Sequence, residues 1–509
     1  MRRVLKLITS KLLFIVPLVL LQFGLFALAF FRATLFLEIQ PVVTAVAWMF
    51  TIYIVNRHEE PSFKIAWIVT ILGMPIVGIS LYLIFGNRKM PKRLVEDTTQ
   101  ASREMEKLLD PSETLLEELK GGNEDLKEVF RYGIKRCGFP VWRNTECRYF
   151  ASGEEWKPVY LEELRKAKFF IFIEFFIISE GNLLSEVSQI LKDKVKEGVQ
   201  VVLIYDDFGC VTVPRVYLRD LQEAGIEVYS FNRIRPALAA QMNNRDHRKL
   251  TIIDNRTGFT GGVNLADEYV NEIARFGYWK DSAVMLKGEA VWSMTVMFMG
   301  MYSYVLGNNI KVNFLAYKLS YSDIAGDGGL YQPWSDTPTD NEYVALNMHL
   351  NMISHAGRYI YIDTPYLILN EAMTSSLRLA AKNGVDVRIL VPKIPDKFFT
   401  NQITKSYYLT LLEAGVRIYE YTPGFVHAKN FVSDDRIAIV GTANTDFRSY
   451  YLHFEDGILM HGTPEILRIR EDFEASLKQA EEITEEAARN VNIILRLLRA
   501  MLALMRQMF

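Results

Sequence analysis

The chain has 509 residues, half of them apolar, enough to bury several cores, and its length points to two to four domains. Lysine and arginine nearly balance aspartate and glutamate, 58 against 60, for a net charge of −2. That balance argues against wholesale binding to a nucleic-acid backbone, which needs a surplus of cations on some face, but leaves room for a local basic pocket. Three cysteines, Cys137, Cys147 and Cys210, stand far apart with no C-x-x-C spacing, so neither a zinc cluster nor a disulfide framework is indicated.

Residues 1–90 are the hydrophobic part. Leu12–Phe31 is a run of 20 residues without a charge, long enough to span a bilayer, with a cleaved signal peptide as its rival because Arg2, Arg3 and Lys6 precede it. Ile39–Asn56 is a second candidate span, and Ile65–Phe85, which carries Pro75 and Gly78, is a third. Trp48, Tyr53, Trp67 and Tyr82 sit near the ends of the last two, where amphipathic rings favour the membrane interface. The flanking lysines and arginines divide almost evenly between the two sides if all three segments cross, so charge leaves the orientation open. The chain thus begins with an extra hydrophobic segment, 1–35, and an expected transmembrane helical anchor, 36–90. Residues 91–144 are charged and helix-prone and read as a connector.

From residue 145 a pattern is stated twice, over 145–325 and 326–485. Phe169–Ile178, with Glu174, and Tyr359–Leu369, with Asp363, are apolar runs of the kind that form buried strands. In each half a glycine-capped helix end then enters a strand, at Gly198 and Gly384, and again at Gly225 and Gly415. Alternation on this scale predicts an α/β fold with largely parallel sheets, two such units packing about a pseudo-two-fold axis. The tail, 486–509, places Arg489, Arg496, Arg499 and Arg506 on one arc of a basic amphipathic helix, which suits a membrane surface or a docked terminal helix.

Each half delivers the same motif, H-x-K-x(4)-D: His247, Lys249 and Asp254, then His427, Lys429 and Asp434. A glycine-led turn follows each, ending in Asn264 and Asn444, and histidines, aspartates and asparagines all keep a constant offset of 180. One copy would be a weak signal; two at a single offset are a strong one. If the copies converge, two lysines and two asparagines supply charge and donors around a tetrahedral phosphodiester, and two histidines divide nucleophilic attack from proton delivery. The three motif positions of each copy form the candidate catalytic set, within which Asp254 and Asp434 hold the fold or the lysine geometry rather than react. No metal or cofactor is required by this chemistry, because lysine charge does the electrostatic work. A histidine nucleophile also wants an acceptor on its other ring nitrogen, and Asp281 and Glu455, which follow the two asparagine turns, are the candidates.

The paired motifs with their trailing G-G-x-N and G-T-x-N turns resemble the phospholipase D superfamily and, within it, the bacterial cardiolipin synthases, over residues 40–480. Asn56, Arg57, Lys64, Trp67, Pro75, Gly78, Tyr82 and Gly86 look like that family's two-helix membrane anchor. Phe259–Tyr269, Gly277–Asp281, Thr364–Tyr366, Gly424–Lys429 and Asp446–Ser449 are similarly family-like, as are Phe454 and Glu455. The resemblance implies a multi-pass enzyme of the bacterial cell membrane that acts on phosphatidylglycerol and membrane lipids, not nucleic acid. One phosphatidylglycerol would form a phosphatidyl-histidine on His247, with His427 as acid and base, and a second would take up the phosphatidyl group. A phospholipase D hydrolase or other transphosphatidylase shares the same core, and a membrane-tethered nuclease is the further alternative. Two departures from the pattern are the segment at 12–31 and the methionine-rich Met294–Tyr304, expected to alter a lipid-facing surface.

Overall fold

The computed structural model describes residues 33–57, 59–86, 95–101, 107–109, 124–233, 243–307, 313–319, 323–340, 342–504 and 506, with 17, 20, 23, 24 and 27 besides. The chain divides into two compact units: Met1–Lys92 with Ile234–Asn243 and Ala500–Phe509, and Arg93–Arg233 with Asn244–Arg499.

In the first unit, α1 (Ala33–Val55) contains an 18-residue stretch, Glu38–Val55, long and apolar enough to cross a membrane and only 17% buried. It matches the second expected span. The third is not one helix: α2 (Pro61–Gly73) ends at Met74, whose φ of −140° leaves the helical region, and α3 (Pro75–Leu81) starts afresh before a π-turn at Tyr82–Gly86. Pro75 is the reason, since it has no N–H to continue the ladder of α2 but suits the first position of a new helix. At 13 residues α2 rises about 20 Å, short of the roughly 30 Å hydrocarbon core. Gly78 lets α3 fold tightly onto α2, for a Cβ there would lie 2.6 Å from the Ile71 Cα. Among the described residues, then, one helix is long enough to span, and the expected multi-pass reading of 36–90 is corrected to that. The segment 12–31 lies outside the described residues apart from the five named above.

The second unit holds two sheets of one design. The first runs β1 (Thr145–Phe150), β9 (Ala283–Gly288), β7 (Thr257–Gly261), β6 (Lys249–Ile253), β2 (Phe170–Phe175), β3 (Gln200–Asp206), β4 (Glu227–Phe231). The second repeats that order with β10 (Leu330–Asp336), β17 (His453–His461), β16 (Ile437–Gly441), β15 (Asn430–Ser433), β11 (Tyr359–Asp363), β12 (Asp386–Pro392) and β13 (Arg417–Tyr421), and adds β18 (Ala480–Glu482) at its edge. Only β2–β3–β4 and β11–β12–β13 are parallel; the remaining neighbours are antiparallel, so the largely parallel expectation gives way to mixed sheets. The helical crossovers predicted from the glycine caps build the parallel part, while the motif strands return through tight turns, which join antiparallel strands. Those turns match: Asp254 and Asn255, and Asp434 and Asp435, all have φ between 53° and 60°, where a short polar side chain is tolerated.

The methionine-rich segment lies in the helix Val291–Leu306 and is interior rather than lipid-facing: Met294, Met299 and Met301 are buried. Gly258 leaves room for the Met294 sulfur, and Phe298 stacks on Phe172 at 4.7 Å, which fixes this helix against the first sheet.

Candidate active site

Two short strands carry the motifs across the boundary between the sheets. β5 (Arg245–Asp246), just before His247, pairs in parallel with the start of β17, Arg245 opposite His453. Its counterpart β14 (Gly424–Val426), just before His427, pairs in parallel with β8 (Tyr278–Lys280) of the first half. The His247 N–H donates to the Phe454 carbonyl at 2.9 Å and the His427 N–H to the Lys280 carbonyl at 2.7 Å. Each histidine is therefore delivered onto a strand of the other half.

The side chains cross in the same way. His247 Nδ1 lies 2.9 and 3.0 Å from the two Glu455 oxygens, and His427 Nδ1 lies 2.8 Å from Asp281 Oδ2. A carboxylate on Nδ1 fixes the proton there and leaves Nε2 as the nucleophilic or proton-carrying nitrogen. Sequence spacing proposed both carboxylates but not this exchange between halves. Lys249 Nζ donates to the carbonyl of His247 at 2.6 Å, and Lys429 Nζ makes the same bond to His427, so each lysine is bound back onto its own motif.

All of these groups are buried, the two imidazoles being 6% and 8% exposed. Burial pushes His247 down to about 3 against the pull of Glu455, and His427 down to about 4 with help from Lys429. It also lowers Lys249 to about 8, and Lys429 to about 7, where Lys249 repels it as well. Lys249 depresses His427 too, and Glu455 and Asp281 each act on both lysines or on the partner of the other, so the two motifs share one electrostatic environment. A phosphodiester anion beside these groups would favour their protonated forms.

The asparagines are not equivalent. Asn264 accepts from the Ile177 N–H at 3.0 Å and keeps a buried amide nitrogen with no partner, a donor to spare for a phosphoryl oxygen. Asn444 instead turns its amide nitrogen to Asp446 at 3.2 Å. The motif aspartates bind backbone: Asp254 accepts the N–H groups of Lys168, Phe169 and Phe170, and Asp434 those of Gly357, Arg358 and Tyr359, all at 2.7–2.9 Å. They pin the start of β2 and β11 at the far ends of the motif strands. Glu174 and Asp363 are interior as well, one paired with Arg248 at 2.5 Å and the other accepting from Asn430 at 3.0 Å.

Several neighbours that were not named as site residues complete the surroundings of the histidines. Thr442 Oγ1 donates to Glu455 at 2.5 Å. At the matching position Gly262 has no room for a side chain, since a Cβ would lie 1.9 Å from Asp281 Oδ1; this is why one turn reads G-G and the other G-T. Phe176 meets the His247 ring edge-on at 4.9 Å, and Tyr269 and Trp279 flank His427 at 5.2 and 5.3 Å. His453 stands 5.5 Å from His247, ring to ring. Among the described residues His247, His453 and Glu455 could also hold a metal ion, their ligand atoms lying within 4.8 Å of one another, though His247 and Glu455 are already committed to each other.

Comparison with known proteins agrees with this design. The family model described as cardiolipin synthase, PLD-like domain, matches residues 160–276 and 349–477, one stretch in each repeat. The model described as phospholipase D-nuclease N-terminal matches residues 39–87. A cardiolipin synthase of Alkalihalophilus pseudofirmus is 34% identical over 443 residues, covering 86% of this chain and 87% of that protein. A cardiolipin synthase 2 of Bacillus cereus is 33% identical over 436 residues, 85% of this chain and 84% of that one. Among solved structures, a phosphatidylserine synthase of Haemophilus influenzae superposes with a TM-score of 0.57 at 15% identity, over 73% of this chain and 97% of that one, a likeness of fold. Duplicated mixed sheets with one H-x-K motif from each define a phospholipase D-type protein. More narrowly, the chain belongs to the cardiolipin synthase family.

Proposed function

We propose that the chain is a membrane-bound phosphatidyltransferase that makes cardiolipin from two molecules of phosphatidylglycerol. The observation that carries the mechanism is the crossed pair of buried imidazoles, each with Nδ1 on a carboxylate of the other half. His247 Nε2 attacks the phosphorus of the first lipid and the bond from phosphorus to the glycerol head group breaks, while His427 gives its proton to the departing oxygen. His427 takes up that proton as the substrate binds, because the phosphodiester anion offsets the burial and lysine charge that otherwise keep it neutral. The head-group hydroxyl of the second lipid then passes its proton to His427 as its oxygen attacks phosphorus. The phosphorus–nitrogen bond breaks, and cardiolipin, glycerol and the starting enzyme result. Lys249, Lys429 and the spare Asn264 donor hold the phosphoryl oxygens throughout.

Membrane attachment is assigned to α1, with the tail helix Ile493–Leu504 lying on the bilayer surface. Ile493, Ile494, Leu497, Met501 and Leu504 of that helix are exposed, an apolar face that suits the boundary between head groups and chains. The test supplies purified protein in liposomes with phosphatidylglycerol alone and follows products by mass. Cardiolipin with an equal amount of free glycerol is expected. Phosphatidic acid without cardiolipin would make the protein a hydrolase, and no lipid product together with cleavage of DNA in a parallel assay would make it a nuclease.

A further inference from the structure

The two carboxylates that orient the catalytic histidines differ in their second partner. Asp281 Oδ2 accepts from the indole N–H of Trp279 at 3.2 Å as well as facing His427. Trp279 stands two residues before Asp281, and His453 stands two residues before Glu455 at the start of β17. Alternate residues of an extended chain share a face, so Trp279 and His453 occupy matching places beside matching carboxylates. Yet His453 Nδ1 lies 3.6 Å from Glu455 Oε1, just beyond a hydrogen bond, and makes no closer one although it is buried. An unpaired buried ring nitrogen costs stability unless something takes it up.

Resting on the proposed reaction, we infer that His453 is a positioning residue for the first half of the site: its Nδ1–H closes on Glu455 when substrate binds, and holds that carboxylate on His247 as positive charge develops there. Glu455 is held at short range by His247 and Thr442. On phosphatidyl transfer the His247 ring becomes cationic and its Nδ1–H bond to Glu455 strengthens. A second donor on Oε1 keeps the carboxylate from swinging with the ring, the service that Trp279 already gives Asp281. Other titratable and charged groups also surround Glu455. Lys249 and Lys429 face the same carboxylate from the two motifs, Asp336 and His349 from β10 and the helix Val344–Ser354, and Asp446 and Asp456 from its own repeat. All six stay in place in the variants below.

The test compares the full-length wild type in phosphatidylglycerol liposomes with His453→Phe, which keeps the ring and loses the donor, and His453→Asn, which keeps an N–H. The phenylalanine variant is expected to lose kcat about tenfold, the worth of one charge-assisted hydrogen bond, with KM unchanged. Its acid limb should move to higher pH, since Glu455 then protonates more readily. The asparagine variant should recover both. If the phenylalanine variant misfolds by circular dichroism, His453→Met stands in for it. Wild-type kcat and pH profile in the donor-less variant, or equal damage in the asparagine variant, would overturn the inference. A wild type that makes no cardiolipin would instead overturn the proposed function on which it rests.

Discussion

The two repeats share strand order, motif, lysine placement and even the aspartate-pinned turn, yet they do not support their histidines alike. In the first half's histidine pocket a glutamate is steadied by a threonine and faced by a second imidazole. In the second, a shorter aspartate is steadied by a backbone N–H and an indole, with Gly262 pressed against it. What the copies keep is the set of bonds that place Nε2 and Nζ; what they vary is the environment of the orienting carboxylate. That pattern suits a cycle in which one histidine becomes covalently loaded and the other only carries a proton.

The largest effects test whether both halves act at all. His247→Ala and His427→Ala should each remove cardiolipin formation by at least about a thousandfold in the liposome assay, because neither role has a substitute in the site. Lys249→Ala and Lys429→Ala should each cost about a hundredfold or more in kcat, the usual loss when a charge-stabilising donor is deleted. The carboxylates sharpen the comparison. Under rapid mixing with a base quench, Glu455→Gln should mainly slow formation of the phosphatidyl-enzyme, and Asp281→Asn should mainly slow its transfer to the second lipid. Equal effects on the same step would remove the distinction between the halves.

A smaller effect concerns pH. Burial holds Lys249 and Lys429 at about 8 and about 7, so they lose protons as pH rises through that range, and the free enzyme then loses its grip on an anion. The profile of kcat/KM is expected to fall there, while that of kcat, measured with the anion bound, holds to higher pH. Identical profiles would mean that substrate does not restore the lysine charge. The mildest effect on chemistry belongs to Asp254→Ala. It strips three backbone N–H groups of their acceptor, so stability should drop by about 2–3 kcal/mol in a denaturant titration while activity per folded molecule persists.

The repeated motif was legible because the chain states it twice at one offset, and the strand–helix alternation followed from glycine caps and apolar runs. The crossing of Glu455 to His247 and of Asp281 to His427 was not, since a contact between halves leaves no spacing to read. The turn hairpins of β6–β7 and β15–β16 hid within apolar runs that looked equally suited to parallel strands. Pro75 could be seen in the expected third span, but membrane helices tolerate proline, and only the broken backbone at Met74 shows that α2 stops there. His453 gave no signal at all: its place beside Glu455 comes from strand register, not from a motif.

The most direct measurement is to mix the wild-type protein with phosphatidylglycerol bearing a labelled acyl chain, quench in base during turnover to preserve a phosphoramidate, and map the adduct by peptide mass spectrometry. A phosphatidyl group on the peptide containing His247, absent from the His247→Ala protein, is the expected result. An adduct on the His427 peptide of the His247→Ala protein, with none on His247, would contradict the assignment of roles to the two halves.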